Sequence, residues 1–253
     1  MRLFVLAAGK GTRLWPLTKT TPKILLDTGK GLTLLDKQIQ NAIESKNIDE
    51  VVLITGYLTD QIEQHMKKNY TGKINYKIVY NPFYDVSNNL LSLWVAHHLM
   101  EEKDFAITNG DNLYRPGTYD DVIGQVNNRE GIFLTIDFKE EFDDDDMKVS
   151  FGKNDKITRV HKDIPLSNTS AESVGLSIVS GAVARKNFVE KLIELAKNME
   201  YRNKFWLEIY NSFIDENGLE IQKLEIPHTS WQEMDFHPDI ELIRKYLTTR
   251  DFD

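Results

Sequence analysis

Two groups of residues in this chain have the types and spacing to do chemistry on phosphates. The first is near the N-terminus, where Gly9 and Gly11 end an apolar run from Leu3 to Ala8 and Lys10, Arg13, Lys19 and Lys23 follow closely. Glycine lets a backbone turn with positive φ and come close to a ligand, and the exposed N–H groups of such a turn attract anions. A glycine-rich turn rich in cations suits a nucleoside triphosphate. The alternative is a tight turn with solvated lysines. The second group is Asn109, Gly110 and Asp111, directly after the apolar stretch Phe105 to Thr108. A carboxylate at the carboxyl end of a strand lies where open α/β sheets bind ligands, and it suits a divalent cation. Here the alternative is a polar turn.

The elements that must position these groups read as alternating strands and helices. Residues 2–8 form the first strand and 9–22 the anion loop, with 24–27 as a short strand. Leu34, Leu35, Ile39, Ala42 and Ile43 recur at helical spacing. Val51 to Ile54 is a continuous apolar run, as in a strand buried on both faces. A helix is expected over 59–69, a strand over 74–80, a helix over 88–100 and a strand over 105–108. Alternating strands and helices predict a doubly wound, mostly parallel sheet with a small antiparallel element, a Rossmann-like three-layer α/β sandwich. Further on, a helix is expected over 119–128, a strand over 131–138 and a hairpin pairing 148–151 with 156–160. A strand over 173–180, helices over 186–199 and 205–213, a strand over 219–226 and a terminal helix over 238–247 complete the reading. The acidic run Glu140 to Asp146 lacks the spacing of a calcium loop and reads as a solvated turn.

Composition narrows the function. The chain has 253 residues, a formal net charge of −8 and 28% charged residues. Nucleic-acid binding would want a basic face, which the pattern lacks. There is no cysteine, which excludes disulfides, thiolate catalysis and cysteine-held zinc. No apolar run approaches a membrane span, and Leu3 to Ala8 is too short for a signal peptide. A cytoplasmic location fits. No repeat or flexible linker divides the chain, so one domain over 1–253 is expected, with a nucleotide-binding half (1–111) and an acceptor-binding half (112–253). A homodimer is left open.

Leu6, Ala7, Ala8, Gly9, Lys10, Gly11, Thr12, Arg13 and Leu14, then Pro16 to Thr18, then Pro22 and Lys23, resemble the L-A-A-G-x-G-T-R-L, P-L-T, P-K signature of the nucleotidyltransferases that activate small phosphorylated molecules. Asn109 to Asp111 resembles the strand-end G-D of that family, whose aspartate binds magnesium. Trp231 to Asp235 resembles the W-x-E-x-D segment of the phosphocholine-type cytidylyltransferases, in which acidic residues complete the magnesium site. In an extended segment Glu233 and Asp235 face the same side.

The resemblance implies a Mg2+-dependent nucleotidyltransferase. Asp111, Asp235 and Glu233 would hold the metal. Lys23 would hold the meeting phosphates, and Arg13, Lys10 and the backbone from Gly9 to Arg13 the departing ones, so that Lys23, Arg13 and Asp111 are the catalytic residues. Asn88 to Ser92 resembles an N-x-x-S-L stretch that lies at the nucleotide in the phosphocholine and phosphonate enzymes. The Q-x-x-x-x-G-x-A arrangement of the uridylyl and thymidylyl enzymes is missing, which moves the expectation to CTP. Asn88 and Ser92 are expected near the base or ribose. Gly56 is expected to allow close approach of the ligand.

The acceptor is expected to be phosphocholine, 2-aminoethylphosphonate, or a phosphorylated amino acid or polyol, with Glu172, Tyr114, Trp206 and Trp231 about it. Pyrophosphate leaves. A sugar-1-phosphate nucleotidylyltransferase using UTP or dTTP and a noncatalytic nucleotide-binding protein are the alternatives. A role in decorating surface polysaccharide would be carried over from relatives.

Overall fold

The computed structural model describes residues 1–216, 219–236, 238, 240 and 241. In chain order the elements are β1 (Arg2–Ala7), β2 (Asp27–Gly29), β3 (Leu32–Thr33), α1 (Leu34–Glu44), β4 (Glu50–Thr55), α2 (Thr59–Tyr70), β5 (Asn75–Tyr80) and α3 (Asn89–Val95). Then come β6 (Phe105–Asn109), β7 (Asn112–Tyr114), α4 (Thr118–Val126), β8 (Gly131–Asp137), β9 (Lys148–Phe151) and β10 (Ile157–Val160). The last are β11 (Ala171–Ser180), α5 (Ala182–Lys197), α6 (Glu208–Asp215), β12 (Ile221–Glu225) and β13 (Trp231–Glu233).

The main sheet runs β10-β9-β11-β6-β1-β4-β5, with β8 also beside β11 and β12 beyond β8. The β6-β1-β4-β5 half is parallel throughout. β11 runs antiparallel to β6, β8 and β9, and β12 is parallel to β8. The sheet is therefore mixed, and parallel in the half built from β6, β1, β4 and β5. The continuous apolar runs explain the central strands, because both faces of β1, β4 and β6 are covered. Leu3 and Val5 of β1 pack in the layer that holds α1, α2 and α4, while Phe4 packs in the layer that holds α3, α5 and α6.

Helix α1 starts at a capping box. Asp36 donates its backbone N–H to Thr33 Oγ1 at 3.1 Å, and Thr33 donates its N–H to Asp36 Oδ2 at 2.8 Å. His65 and Tyr70 also bond Asp36 Oδ1. Burial alone would raise the Asp36 carboxyl, but these hydrogen bonds outweigh it and hold the group well below the usual carboxylate range.

Several expectations shift. The strand expected over 24–27 is a single turn at Lys23–Leu25, closed by Leu25 N–H to Pro22 O at 2.8 Å, and the strand begins only at Asp27. α3 stops at Val95, followed by one turn at His97–Leu99. The helix expected over 205–213 begins at Glu208. The terminal helix expected over 238–247 falls largely outside the described residues. No helix among the described residues is long and apolar enough to cross a membrane.

Candidate active site

The carboxyl ends of β1 and β6 open into a cleft of about 340 Å³. The loop after β1 is fixed along its length. Leu14 is fully buried, and Thr18 Oγ1 donates to Gly11 O at 2.7 Å. Tyr57 donates its hydroxyl to Lys19 O at 2.7 Å, and Gln61 its amide to Thr20 O at 2.9 Å. Gly11 has φ +60°, and a Cβ there would lie 3.1 Å from Lys23 Cβ. A side chain at this position would be strained and would crowd the lysine.

Lys23 lies at the floor of the cleft. Its Nζ donates to Asp111 Oδ2 and to Asp235 Oδ1, each at 2.8 Å. Burial alone would lower the pKa of this ammonium, but the charges of Asp111 and Asp235 raise it above its ordinary value, so it stays protonated. Arg13 bonds Asp145 Oδ2 at 2.7 Å, also reaches Asp235, and lies over the Phe236 ring at 5.2 Å.

Two segments far apart in sequence build the acidic floor. β13 pairs antiparallel with β7, setting Glu233 opposite Asn112, and Met234 donates its N–H to Asp111 O at 3.0 Å. Trp231 anchors this segment by donating Nε1–H to the buried Asp137 at 2.9 Å. Gln38 of α1 is buried and donates its amide to Asn109 O at 3.0 Å and Asn112 O at 2.7 Å, bracketing Asp111.

Carboxylate oxygens of Asp111, Glu233 and Asp235 lie within 4.8 Å of one another. Asp111 Oδ1 is buried and has no hydrogen-bond partner among the described residues. Glu233 keeps surface open to the cleft, yet protein crowds its carboxyl. Loss of bulk water, then the charges of Asp111 and Asp235, push this carboxyl well above the usual range. A hard divalent cation takes oxygen ligands of this kind and would offset the repulsion, so the residues fit magnesium.

A second chamber of about 430 Å³ adjoins the first and shares Glu172, Trp231, Glu233 and Asp235 with it. Lys139 bridges Asp146 and Glu172, each at 2.7 Å. Burial outweighs that ion pair and pushes the Glu172 carboxyl up to about 7.

The structure brings most of the expected residues to the cleft. Leu6, Ala7, Ala8, Gly9, Gly11, Arg13, Lys23, Asn88, Ser92, Asn109, Gly110 and Asp111 line it, and so do Trp206 and Trp231. Others stand apart. The Lys10 ammonium is held by Asp85, and neither it nor Thr12 is among the lining residues. At Gly56 a Cβ would meet Tyr84 Cβ at 2.5 Å and Ala8 O at 2.8 Å, so the close approach that requires glycine there is of protein to protein. Tyr114 is buried, and its hydroxyl is tied to Thr108, Asn112 and Val174, so its ring belongs to the core and not to an acceptor pocket. Trp206 donates Nε1–H to Asn109 Oδ1 at 3.1 Å, which fixes it in the first cleft and not in the second chamber. Asn88 lines the cleft and also caps α3 through Asn89 N–H at 2.7 Å.

The acidic run is not simply a solvated turn. Cations flanking the cleft draw it in: Asp145 takes Arg13 and Lys162, and Asp146 takes Lys139. Sequence reasoning missed Gln38, Lys139 and Lys162. Gln38 had a signal, as a polar residue among the inward apolar positions of α1. The two lysines had none, because nothing local distinguishes them from solvated ones.

A glycine turn and an acidic floor meet at the carboxyl edge of the parallel strands of an α/β sheet, where open sheets of this class bind ligands. A family model described as nucleotidyl transferase matches residues 3–152, and the chain belongs to that family. It is 27% identical over 226 residues to a 2-aminoethylphosphonate cytidylyltransferase of Lancefieldella rimae, covering 87% of this chain and 83% of that one. It is 25% identical over 263 residues to a CTP:phosphoglutamine cytidylyltransferase of Campylobacter jejuni, covering 96% and 98%. The solved structure of a CTP:phosphocholine cytidylyltransferase from Streptococcus pneumoniae shares the fold, with a TM-score of 0.73 at 22% identity over 97% of this chain and 98% of that one.

Proposed function

We propose that this protein transfers the cytidylyl group of CTP to a small phosphorylated or phosphonylated acceptor that is not a sugar, with magnesium required and pyrophosphate released. The observation that carries this reading is Lys23 bonded in the first cleft to both Asp111 and Asp235, the latter shared with the second chamber. Similarity to two cytidylyltransferases along most of the chain supports CTP as the nucleotide.

In this reaction an acceptor oxygen bonds to the α-phosphorus of CTP. The bond from that phosphorus to the bridging oxygen breaks, and pyrophosphate leaves with the electron pair. A phosphate or phosphonate nucleophile is already ionised, so no general base is required. Lys23 holds the meeting phosphates and offsets their repulsion, and Arg13 with the backbone N–H groups from Gly9 to Arg13 holds the departing ones. Asp111, Asp235 and Glu233 would hold magnesium, which would supply neutralisation of charge on phosphate oxygens. The second chamber takes the body of the acceptor, beside Glu172 and Trp231. Its lining is rich in carboxylates, which favours an acceptor with a cationic group.

The test is pyrophosphate release with magnesium, pairing CTP, UTP, dTTP, ATP and GTP with phosphocholine, 2-aminoethylphosphonate, phosphorylated amino acids, glycerol phosphate and hexose 1-phosphates. Turnover confined to CTP and a non-sugar acceptor is expected. Turnover with UTP or dTTP and a hexose 1-phosphate overturns the reading.

A further inference from the structure

Ser92 is the one hydroxyl of α3 at the cleft, and a buried residue behind it fixes its hydrogen-bonding polarity. Asn81 is fully buried just after β5. Its Oδ1 accepts the backbone N–H of Phe83 at 2.8 Å, which identifies that side-chain atom as the oxygen. The other end must then be the NH2 group, and Nδ2 donates to Ser92 Oγ at 2.9 Å. Asn81 is itself held in place, because its backbone N–H donates to Thr55 O at 2.7 Å. Ser92 Oγ thus spends a lone pair on Asn81. Among the described residues its hydroxyl hydrogen has no acceptor, and Ser92 lines the cleft.

We infer that Asn81 sets the base preference of the site by fixing Ser92 as a hydrogen-bond donor towards the cleft. The inference rests on the cytidylyl reading above and deepens it. Both bases present an acceptor at O2, but N3 is an acceptor in cytosine and an N–H donor in uracil, so it is at N3 that a fixed donor tells them apart. A serine with its hydrogen free satisfies cytosine. Against uracil N3–H the same serine would have to accept with its remaining lone pair, leaving its own hydrogen without a partner in a nearly closed position. One such mismatch is worth about tenfold in affinity. The cleft around Ser92 fits a base: Ser87, Asn88 and Asn89 line it with uncharged polar groups, while the cations of the cleft lie at Arg13, Lys23 and Lys162, the last over the Phe205 ring.

The experiment compares CTP and UTP affinity by calorimetry on the full chain with magnesium. The unmodified protein is expected to prefer CTP by about tenfold or more. Asn81→Asp keeps the shape and the acceptor for Phe83 but cannot donate when ionised. Ser92 then donates to the new carboxylate and turns a lone pair to the cleft. In mildly alkaline buffer this variant is expected to lower the CTP-to-UTP ratio about tenfold, with UTP gaining. Ser92→Ala is expected to lower the ratio without a gain for UTP, and it decides the matter if the buried carboxylate prevents folding. A ratio unchanged in the folded variants overturns the inference and leaves the cytidylyl reading standing. An unmodified protein that binds neither nucleotide, or UTP as tightly as CTP, overturns both. A purely structural role for Asn81 would weaken both nucleotides equally, which the ratio detects.

Discussion

Met234 donates its backbone N–H to the carbonyl oxygen of Asp111 at 3.0 Å, joining the two segments that carry the acidic floor. The bond continues the pairing of β13 with β7. It sets Asp235 close enough to share Lys23 with Asp111. The position of the carboxylates is therefore set by backbone pairing and does not depend on side-chain freedom alone.

Asp111→Asn keeps the shape and one acceptor but removes the charge from the residue with the unpartnered buried Oδ1. Turnover should fall roughly a thousandfold, by analogy with the loss of one charge-stabilising group from a preorganised site. The fold should persist, because the backbone bonds of Asp111 do not use its side chain. Pyrophosphate release and circular dichroism check the two halves. Turnover equal to that of the unmodified enzyme would sink the metal assignment.

Lys23→Met removes the cation that Asp111 and Asp235 share. Magnesium should bind more tightly, because the ammonium no longer competes for those oxygens. Turnover should nevertheless fall by about a hundredfold or more, because the meeting phosphates lose their counter-charge. A calorimetric magnesium titration beside a turnover assay separates the effects. Weaker magnesium binding would show that Lys23 supports the metal site.

Glu172 has a carboxyl raised to about 7 by burial, against the opposing ion pair with Lys139. Because the folded-state value exceeds the unfolded one, the native state holds the proton more tightly. Its contribution to stability is full below the unfolded carboxylate range and is lost as pH rises through about 7. The shift corresponds to about 3 kcal/mol at one group. Glu172→Gln should flatten this part of the stability profile, read as denaturation midpoints between mildly acidic and neutral pH. A profile with the same slope in the variant would exclude Glu172 as its source.

Much of the half built from β1, β4, β5 and β6 was legible in the sequence. Apolar runs on both faces mark central strands, so β1, β4 and β6 declare themselves. The order of strands and helices then places the loop after β1 and Asp111 at one edge of the sheet. Period-two spacing correctly put Glu233 and Asp235 on one side, and both join the acidic group. Lys10, Gly56 and Tyr114 misled for a common reason. Residue type suggested a ligand contact, and tertiary neighbours supplied Asp85, Ala8 and the core in its place.

The central strands, the glycine turn after β1 and the family to which the chain belongs are legible in the chain alone, because each depends on local periodicity or on a contiguous motif. Which separated groups meet follows from how the strands and helices pack. Gln38 reaches around Asp111, Lys139 bridges Asp146 to Glu172, and Asn81 donates to Ser92. These are hydrogen bonds and ion pairs between segments remote in the chain. Their partners depend on how the β-strands cross and pair, which local spacing does not record.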